Sequence, residues 1–152
     1  MKTTLTLALL IFAAAPAMAQ SIEFQREVAQ KRAITLGDAA MIFYGLVNTP
    51  KADLTSEAAF TDLVAKGIMP EGWKDDLAGD ASLGQVSVLI CKTLDISGGA
   101  MMNLTGSFRR YAYRECARLR LVKPAGPHSS VPGRDLISIA GRVEDHLEQK
   151  KK

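Results

Sequence analysis

The same helix opening occurs twice in this chain. Residues 35–38 read Thr-Leu-Gly-Asp, and residues 82–85, which begin 47 positions later, read Ser-Leu-Gly-Gln. A looser third copy, Ser-Val-Pro-Gly, stands at residues 130–133. Apolar residues spaced three and four apart follow each copy, as on the core-facing side of a helix. A recurrence of about 50 residues is typical of stacked helical units, which bury their apolar faces against one another.

Start and stop signals between these copies define further helices. Thr55 or Ser56 is suited to cap one helix, and Lys66-Gly67-Ile68 is typical of its end, with glycine in the left-handed conformation. No segment alternates apolar and polar residues as a half-buried strand does. Helices are predicted at about residues 21–32, 35–47, 56–66, 82–94, 107–119 and 133–147.

The predicted fold class is therefore all-α. Helix-turn-helix repeats with a period of about 50 residues are expected to pack as one compact domain over residues 20–147. A disordered basic tail is expected at residues 148–152, which read Glu-Gln-Lys-Lys-Lys. The recurring glycines, Gly37, Gly84 and Gly133, either permit a close approach between segments or present backbone N–H groups to an anion.

Residues 1–19 have the pattern of a secretory signal peptide. Lys2 provides the positive start, an apolar stretch follows, and Ala17-Met18-Ala19 matches a cleavage site. We expect cleavage after Ala19 and a periplasmic or secreted mature protein. No later segment is long and apolar enough to predict a transmembrane helix.

The charge balance argues against a nucleic-acid-binding protein. The formal net charge is +3, and it falls to +2 when Lys2 leaves with the leader. Dedicated nucleic-acid binders carry a larger basic excess. A nucleic-acid partner is therefore not expected.

The chain has two cysteines, Cys91 and Cys116, both in predicted helices. In an oxidising compartment they can form a disulfide bridge. The alternative is a pair of buried free thiols that pack as small hydrophobic side chains. Spacing alone does not decide between the two, because a bridge requires the side chains to meet in space.

Residues 63–72 and 81–89 carry a family resemblance. The first segment ends a helix in Gly-Ile before a Gly-containing turn, and the second opens a new helix with Ala-Ser-Leu-Gly-Gln-Val. This unit resembles the S-layer homology repeat of bacterial cell surfaces. Residues 110–147 follow the same outline, with Leu119-Arg120-Leu121 at the place of Lys66-Gly67-Ile68. Residues 34–47 match its second helix.

The resemblance implies attachment to a cell-wall polysaccharide through helical repeats, often three arranged around an axis. In that family an arginine near the start of the second helix contacts the polymer. Leu36 and Leu83 occupy the corresponding positions here, and only the third copy has an arginine nearby, Arg134. The main binding surface is therefore expected to lie elsewhere, with Arg134 as a further candidate binding residue.

The predicted helix at 107–119 provides the main candidate for that surface. Arg110, Arg114 and Arg118 are spaced i, i+4, i+8 and should form one stripe. Guanidinium groups bind carboxylates and phosphates through paired hydrogen bonds. The alternative is a solvated face whose arginines pair with Glu115 and other acids.

No catalytic motif is evident. His128 and His146 lack metal-ligand spacing, and no serine or cysteine stands in a nucleophile motif. We therefore expect a non-enzymatic protein without cofactor or metal. Its predicted role is binding a cell-wall glycan or another envelope component; the alternative is a periplasmic accessory or scaffold subunit that binds another envelope protein.

Overall fold

The computed structural model describes residues 21–96 and 108–152, and regular structure in these residues is helical. No β-strand occurs in this part of the chain beyond isolated bridges from Thr35 to Asp80 and from Ser82 to Ser130. The all-α prediction is confirmed at this level, and the predicted leader lies outside the described residues. The elements are α1 (residues 21–30), α2 (Leu36–Val47), α3 (Ser56–Ala65), a 3-10 helix (Glu71–Asp76), α4 (Leu83–Thr93), α5 (Phe108–Arg118) and α6 (Gly133–Lys150).

The recurring openings form reciprocal N-terminal caps. The Thr35 hydroxyl accepts a hydrogen bond from the Asp38 amide at 3.1 Å, and the Asp38 carboxylate accepts one from the Thr35 amide at 2.9 Å. Ser82 and Gln85 repeat the arrangement at 3.2 and 2.9 Å. This capping box satisfies amide groups that have no partner within the helix. The recurrence of these two helix openings is therefore explained in part by the same local capping hydrogen bonds.

Three helices also end in the same way. At the end of α3, Gly67 has φ of 69°, and the Ile68 amide donates to the Leu63 carbonyl at 2.8 Å. The predicted glycine stop is thus confirmed. Non-glycine residues take the same left-handed position after α4 and α5, namely Asp95 with φ of 51° and Arg120 with φ of 58°.

The segments that precede α2, α4 and α6 are hydrogen-bonded to one another. The Ile34 amide donates to the Val131 carbonyl at 2.9 Å, and the Ala81 amide donates to the Ile34 carbonyl at 2.8 Å. Further bonds join the first residues of each helix to a neighbouring loop: Leu36 to Gly79, Leu83 to Ser129 and Gly133 to Lys31, donor first in each pair. The three helix openings thus share one backbone network.

The glycines of the openings serve close packing. The Gly37 amide donates to the Leu77 carbonyl and the Gly84 amide donates to the Pro127 carbonyl, at 2.9 and 2.8 Å. A Cβ atom at Gly84 would lie only 2.8 Å from the Pro127 oxygen. These amides are occupied by backbone carbonyls, which favours the packing role over an anion site.

Helix α4 lies at the centre of the apolar core. Each of its first nine residues, Leu83 to Cys91, is buried. Helix α5 packs against α4, and α2 packs against α3, α4 and α6. Because α5 packs on this buried helix, the side of α5 that faces α4 is buried and the opposite side of α5 reaches solvent.

Helix α6 extends beyond its predicted end. The sequence placed that end near Leu147 and the basic tail at 148–152, but the helix continues to Lys150. The Lys150 ammonium donates to the Leu94 carbonyl at the C-terminus of α4. This contact uses a carbonyl that a helix end leaves without a partner, and it anchors the last turn of α6.

Candidate binding face

The buried side of α5 fixes the direction of its arginines. Ala112 and Cys116 are completely buried against the core. Arg110 and Arg114 each lie two residues from Ala112, which places them about 200° around the helix from it. Both are exposed. Four residues of helix separate them by about 6 Å along the axis, so they present two neighbouring guanidinium groups to solvent.

Neither of these two arginines is neutralised by a neighbour. In the described residues, Arg110 and Arg114 take part in no ion pair and no side-chain hydrogen bond. Several other cations do: Lys31 bonds to Asp38 at 2.9 Å, and Lys123 bonds to Asp135 at 2.8 Å. We refer to Arg110 and Arg114 together as the arginine face.

Arg118, the third predicted member of the stripe, has a different environment. Its guanidinium Nε lies 3.2 Å from both carboxylate oxygens of Glu115, and Nη2 donates to the same group. This hydrogen bond from Arg118 holds the pKa of Glu115 below its usual range, and the carboxylate in turn raises the pKa of Arg118. Both side chains remain accessible to water, with Arg118 67% exposed, so the pair can exchange partners.

Arg109, next to the arginine face, contacts a buried aromatic ring. Its guanidinium carbon lies 5.1 Å from the centre of the Trp73 ring, within the range of a cation–π interaction. Trp73 belongs to the 3-10 helix and is 8% exposed. Arg109 therefore joins α5 to the rest of the fold. The sequence contained no signal for this contact between Arg109 and Trp73.

A tyrosine one helical turn after Arg109 also anchors this helix. The Tyr113 hydroxyl accepts a hydrogen bond from the Gly126 amide at 3.0 Å. Gly126 has φ of 101°, a conformation that side-chain-bearing residues rarely adopt, so the loop after α5 has a defined geometry. Together with Arg109, this contact holds α5 in position.

Arg134, the remaining predicted site residue, lies elsewhere. It is exposed near the start of α6, a different helix, and no contact in the described structure joins it to Arg110 or Arg114. The structure therefore brings together only the arginines of α5.

The two cysteines do meet. The sulfur atoms of Cys91 and Cys116 lie 3.7 Å apart in the interface between α4 and α5, and both residues are buried free thiols. Sequence spacing left this contact undecided. The disulfide itself stays a prediction.

A second surface feature is a cleft of about 620 Å³ bordered by α1, α2 and α3. Lys31 and Lys74 line it together with four acids, Glu27, Asp38, Glu57 and Asp75. Its one buried carboxylate, Asp38, is fully used by Lys31 and the Thr35 amide. The cleft therefore presents mixed charges and lacks an unpartnered buried group.

Comparison of the chain with protein-family models, curated proteins and solved structures gave no match. Among the helices of the described residues, none combines the length and hydrophobicity needed to span a bilayer. The same residues contain no cluster of three or more His, Cys, Asp or Glu side chains suited to a metal ion. The arginine face presents two exposed guanidinium groups, which are suited to bind anionic groups.

Proposed function

We propose that this chain is an exported, non-enzymatic protein of the bacterial cell envelope that binds an acidic cell-wall glycan through the arginine face. One observation carries the proposal. Arg110 and Arg114 are exposed on consecutive turns of one helix, without an acidic partner in the described structure. Guanidinium groups in this arrangement bind carboxylates or phosphates through two parallel hydrogen bonds each.

The architecture proposed for the chain is a set of S-layer-homology-like helical repeats of about 50 residues, packed as one domain over residues 20–147. The hydrogen bonds linking Ile34, Ala81 and Val131 support it, because these residues directly precede the caps of α2, α4 and α6. The shared capping boxes and left-handed helix ends support it as well. An arrangement of three repeats around an axis would bring the openings together in this way.

The burial of two leucines supports a displaced binding surface. Leu36 is completely buried and Leu83 is 6% exposed, at the positions where the S-layer homology family has its polymer-contacting arginine. Apolar side chains in the core cannot bind an acidic polymer. The guanidinium groups of α5 provide the chemistry that these positions lack.

Rigidity of α5 supports the choice of this helix. Its buried side is fixed by Ala112 and Cys116, and one adjacent side by the Arg109–Trp73 and Tyr113–Gly126 contacts. A preorganised surface loses less conformational entropy on binding. Two guanidinium groups about 6 Å apart along the helix suit a polymer that carries repeated anionic groups. Arg118 can extend the surface when it releases Glu115.

Sedimentation with purified peptidoglycan sacculi, with their wall polymers attached, tests the binding. We expect the wild-type protein to pellet and the Arg110→Ala/Arg114→Ala/Arg118→Ala variant to stay in the supernatant. The matched control is Arg26→Ala/Arg32→Ala, which removes two exposed arginines from residues 21–32 and should pellet like the wild type. Equal pelleting of the triple variant, or no pelleting of the wild type, would contradict the proposal.

The alternative function, an accessory or scaffold subunit that binds another envelope protein, gives a different result. In that case the wild type would pellet with crude envelopes but not with sacculi freed of protein by detergent and protease. Loss of crude-envelope binding in the triple variant would then assign the arginine face to a protein partner.

A mass measurement tests export separately. Expression of the full chain in a bacterium should yield a periplasmic protein whose first residue is Gln20. An intact chain in the cytoplasmic fraction would contradict the localisation without bearing on sacculus binding.

A further inference from the structure

Cys91 and Cys116 face each other across the interface between α4 and α5. Their sulfur atoms are 3.7 Å apart. Each sulfur also lies near a carbonyl of the opposite helix: Cys91 Sγ is 3.9 Å from the Ala112 oxygen, and Cys116 Sγ is 3.6 Å from the Ser87 oxygen. The two thiols are therefore directed at the same small region.

The gap between the two sulfur atoms can be closed by a small movement of the side chains. A disulfide requires about 2.04 Å between sulfur atoms, so the two atoms need to approach by about 1.7 Å. Rotation of both side chains about their Cα–Cβ bonds supplies a displacement of this size.

We propose that Cys91 and Cys116 are an oxidation site, at which a disulfide joins α4 to α5 when the chain folds in the presence of a disulfide oxidant. The oxidant is a small-molecule disulfide or the active-site disulfide of a thiol oxidoreductase. This link is distinct from the proposed binding function, since the arginine face does not depend on it for its chemistry.

The reaction is a two-step thiol–disulfide exchange. The thiolate of one cysteine attacks one sulfur of the oxidant, forms a mixed disulfide and releases one oxidant thiolate. The thiolate of the other cysteine then attacks the sulfur of the first cysteine and releases the second oxidant thiolate. The two cysteines lose two protons and two electrons, and the oxidant disulfide is reduced to two thiols.

In the folded chain the two thiols share a hydrogen bond in which either sulfur can be the donor. This contact lowers the pKa of Cys91. The same contact, with burial, raises the pKa of Cys116.

Because both cysteines are buried in the folded chain, the disulfide must form during folding. Cys91 is 1% exposed and Cys116 is 0% exposed, so an oxidant reaches them before α5 closes on α4. After closure the same burial protects the bond from reductants. The disulfide would hold α5, and with it the arginine face, covalently on the core.

Oxidative refolding of the purified protein tests this inference. The reduced chain is unfolded, refolded with a mixture of oxidised and reduced glutathione or with excess reductant, then unfolded again and alkylated. We expect the glutathione sample to resist alkylation, to be lighter by two hydrogen atoms, and to yield a cross-linked peptide pair containing Cys91 and Cys116. Its Tm should exceed that of the reduced sample by roughly 10 °C.

The variants Cys91→Ala and Cys116→Ala serve as controls. Neither can form the bridge, so the Tm of each should be the same with glutathione and with reductant. Alkylation of both wild-type cysteines after refolding with oxidised glutathione would overturn the inference, as would a Tm unchanged or lowered by oxidation. The experiment uses no envelope material, so failure of sacculus binding and failure of the disulfide are independent results.

Discussion

Gly133, the first residue of α6, lies directly against the backbone of Val28 in α1. A Cβ atom at Gly133 would stand 1.7 Å from the Val28 carbonyl oxygen and 2.7 Å from its carbonyl carbon. The Gly133 amide also donates to the Lys31 carbonyl at 2.9 Å. A side chain at this position cannot be accommodated unless α1 and α6 separate.

Alanine substitutions at the opening glycines should therefore destabilise the fold in a defined order. We expect the loss of unfolding free energy to be largest for Gly133→Ala, at roughly 3 kcal/mol or more, smaller for Gly84→Ala, and smallest for Gly37→Ala. The order follows the distance from an added Cβ to the nearest backbone oxygen, which is 1.7, 2.8 and 3.1 Å. Urea unfolding measures the differences.

Gly141 provides the matched control for this series. It lies within α6, is exposed, and an added Cβ would meet no atom within 4 Å. Gly141→Ala should raise the free energy of unfolding by about 0.5–1 kcal/mol, because alanine favours helix interiors. Equal stability of Gly133→Ala and Gly141→Ala would refute the close packing of α1 against α6.

Glycine should stabilise the two helix ends at which a residue with a side chain is left-handed. Asp95 and Arg120 have φ of 51° and 58°, which costs about 1 kcal/mol relative to glycine. We expect Arg120→Gly and Asp95→Gly each to raise the unfolding free energy by up to about 1 kcal/mol, and Gly67→Ala to lower it by a similar amount. Thermal unfolding of the three variants checks the signs; a destabilised Arg120→Gly would contradict this account of the α5 terminus.

Asp62 should contribute to acid sensitivity. Its carboxylate accepts hydrogen bonds from the Lys66 ammonium at 2.6 Å and the Asn48 amide at 2.9 Å. The bond from Lys66 lowers the pKa of Asp62 below its usual 3.8. Because the folded-state pKa is the lower one, this stabilisation is present above about pH 4 and is lost as the pH falls through the folded-state value.

The variant Asp62→Asn should therefore be less stable than the wild type at pH 6, by less than about 1 kcal/mol because the pair is at the surface. The difference should shrink below pH 4. Glu71→Gln, at an exposed carboxylate without an ion pair in the described residues, is the control and should leave the pH profile unchanged. A constant difference between Asp62→Asn and the wild type from pH 6 to pH 3 would show that the Lys66 contact is not formed in solution.

Local features of the fold could be predicted from the sequence because they depend on neighbouring residues. The caps at Ser82 and Thr55 and the glycine stop at Gly67 each involve side chains and amides within a few positions. The match of Leu119-Arg120-Leu121 to Lys66-Gly67-Ile68 also placed a helix end correctly, although Arg120 replaces the expected glycine.

Contacts between distant segments could not be predicted in the same way. The spacing of Arg118 matched that of Arg110 and Arg114, but the sequence did not show which arginine would pair with Glu115. The end of α6 was placed too early because its last turn depends on the Leu94 carbonyl, 56 residues away along the chain. The approach of Cys91 to Cys116 likewise depends on how α4 and α5 pack.

The most direct test of the arginine face is a binding isotherm on purified sacculi for three proteins: the wild type, Arg110→Ala/Arg114→Ala and Arg26→Ala/Arg32→Ala. The first double variant removes only the two exposed, unpaired guanidinium groups of α5, and the second removes two exposed arginines elsewhere. We expect the Kd to rise by roughly a hundredfold for Arg110→Ala/Arg114→Ala, since each of the two charge-assisted hydrogen-bonded contacts contributes about 1.5 kcal/mol or more. The control should bind with the wild-type Kd. An unchanged Kd for Arg110→Ala/Arg114→Ala, or an equal loss in both double variants, would contradict a specific binding role for the arginine face.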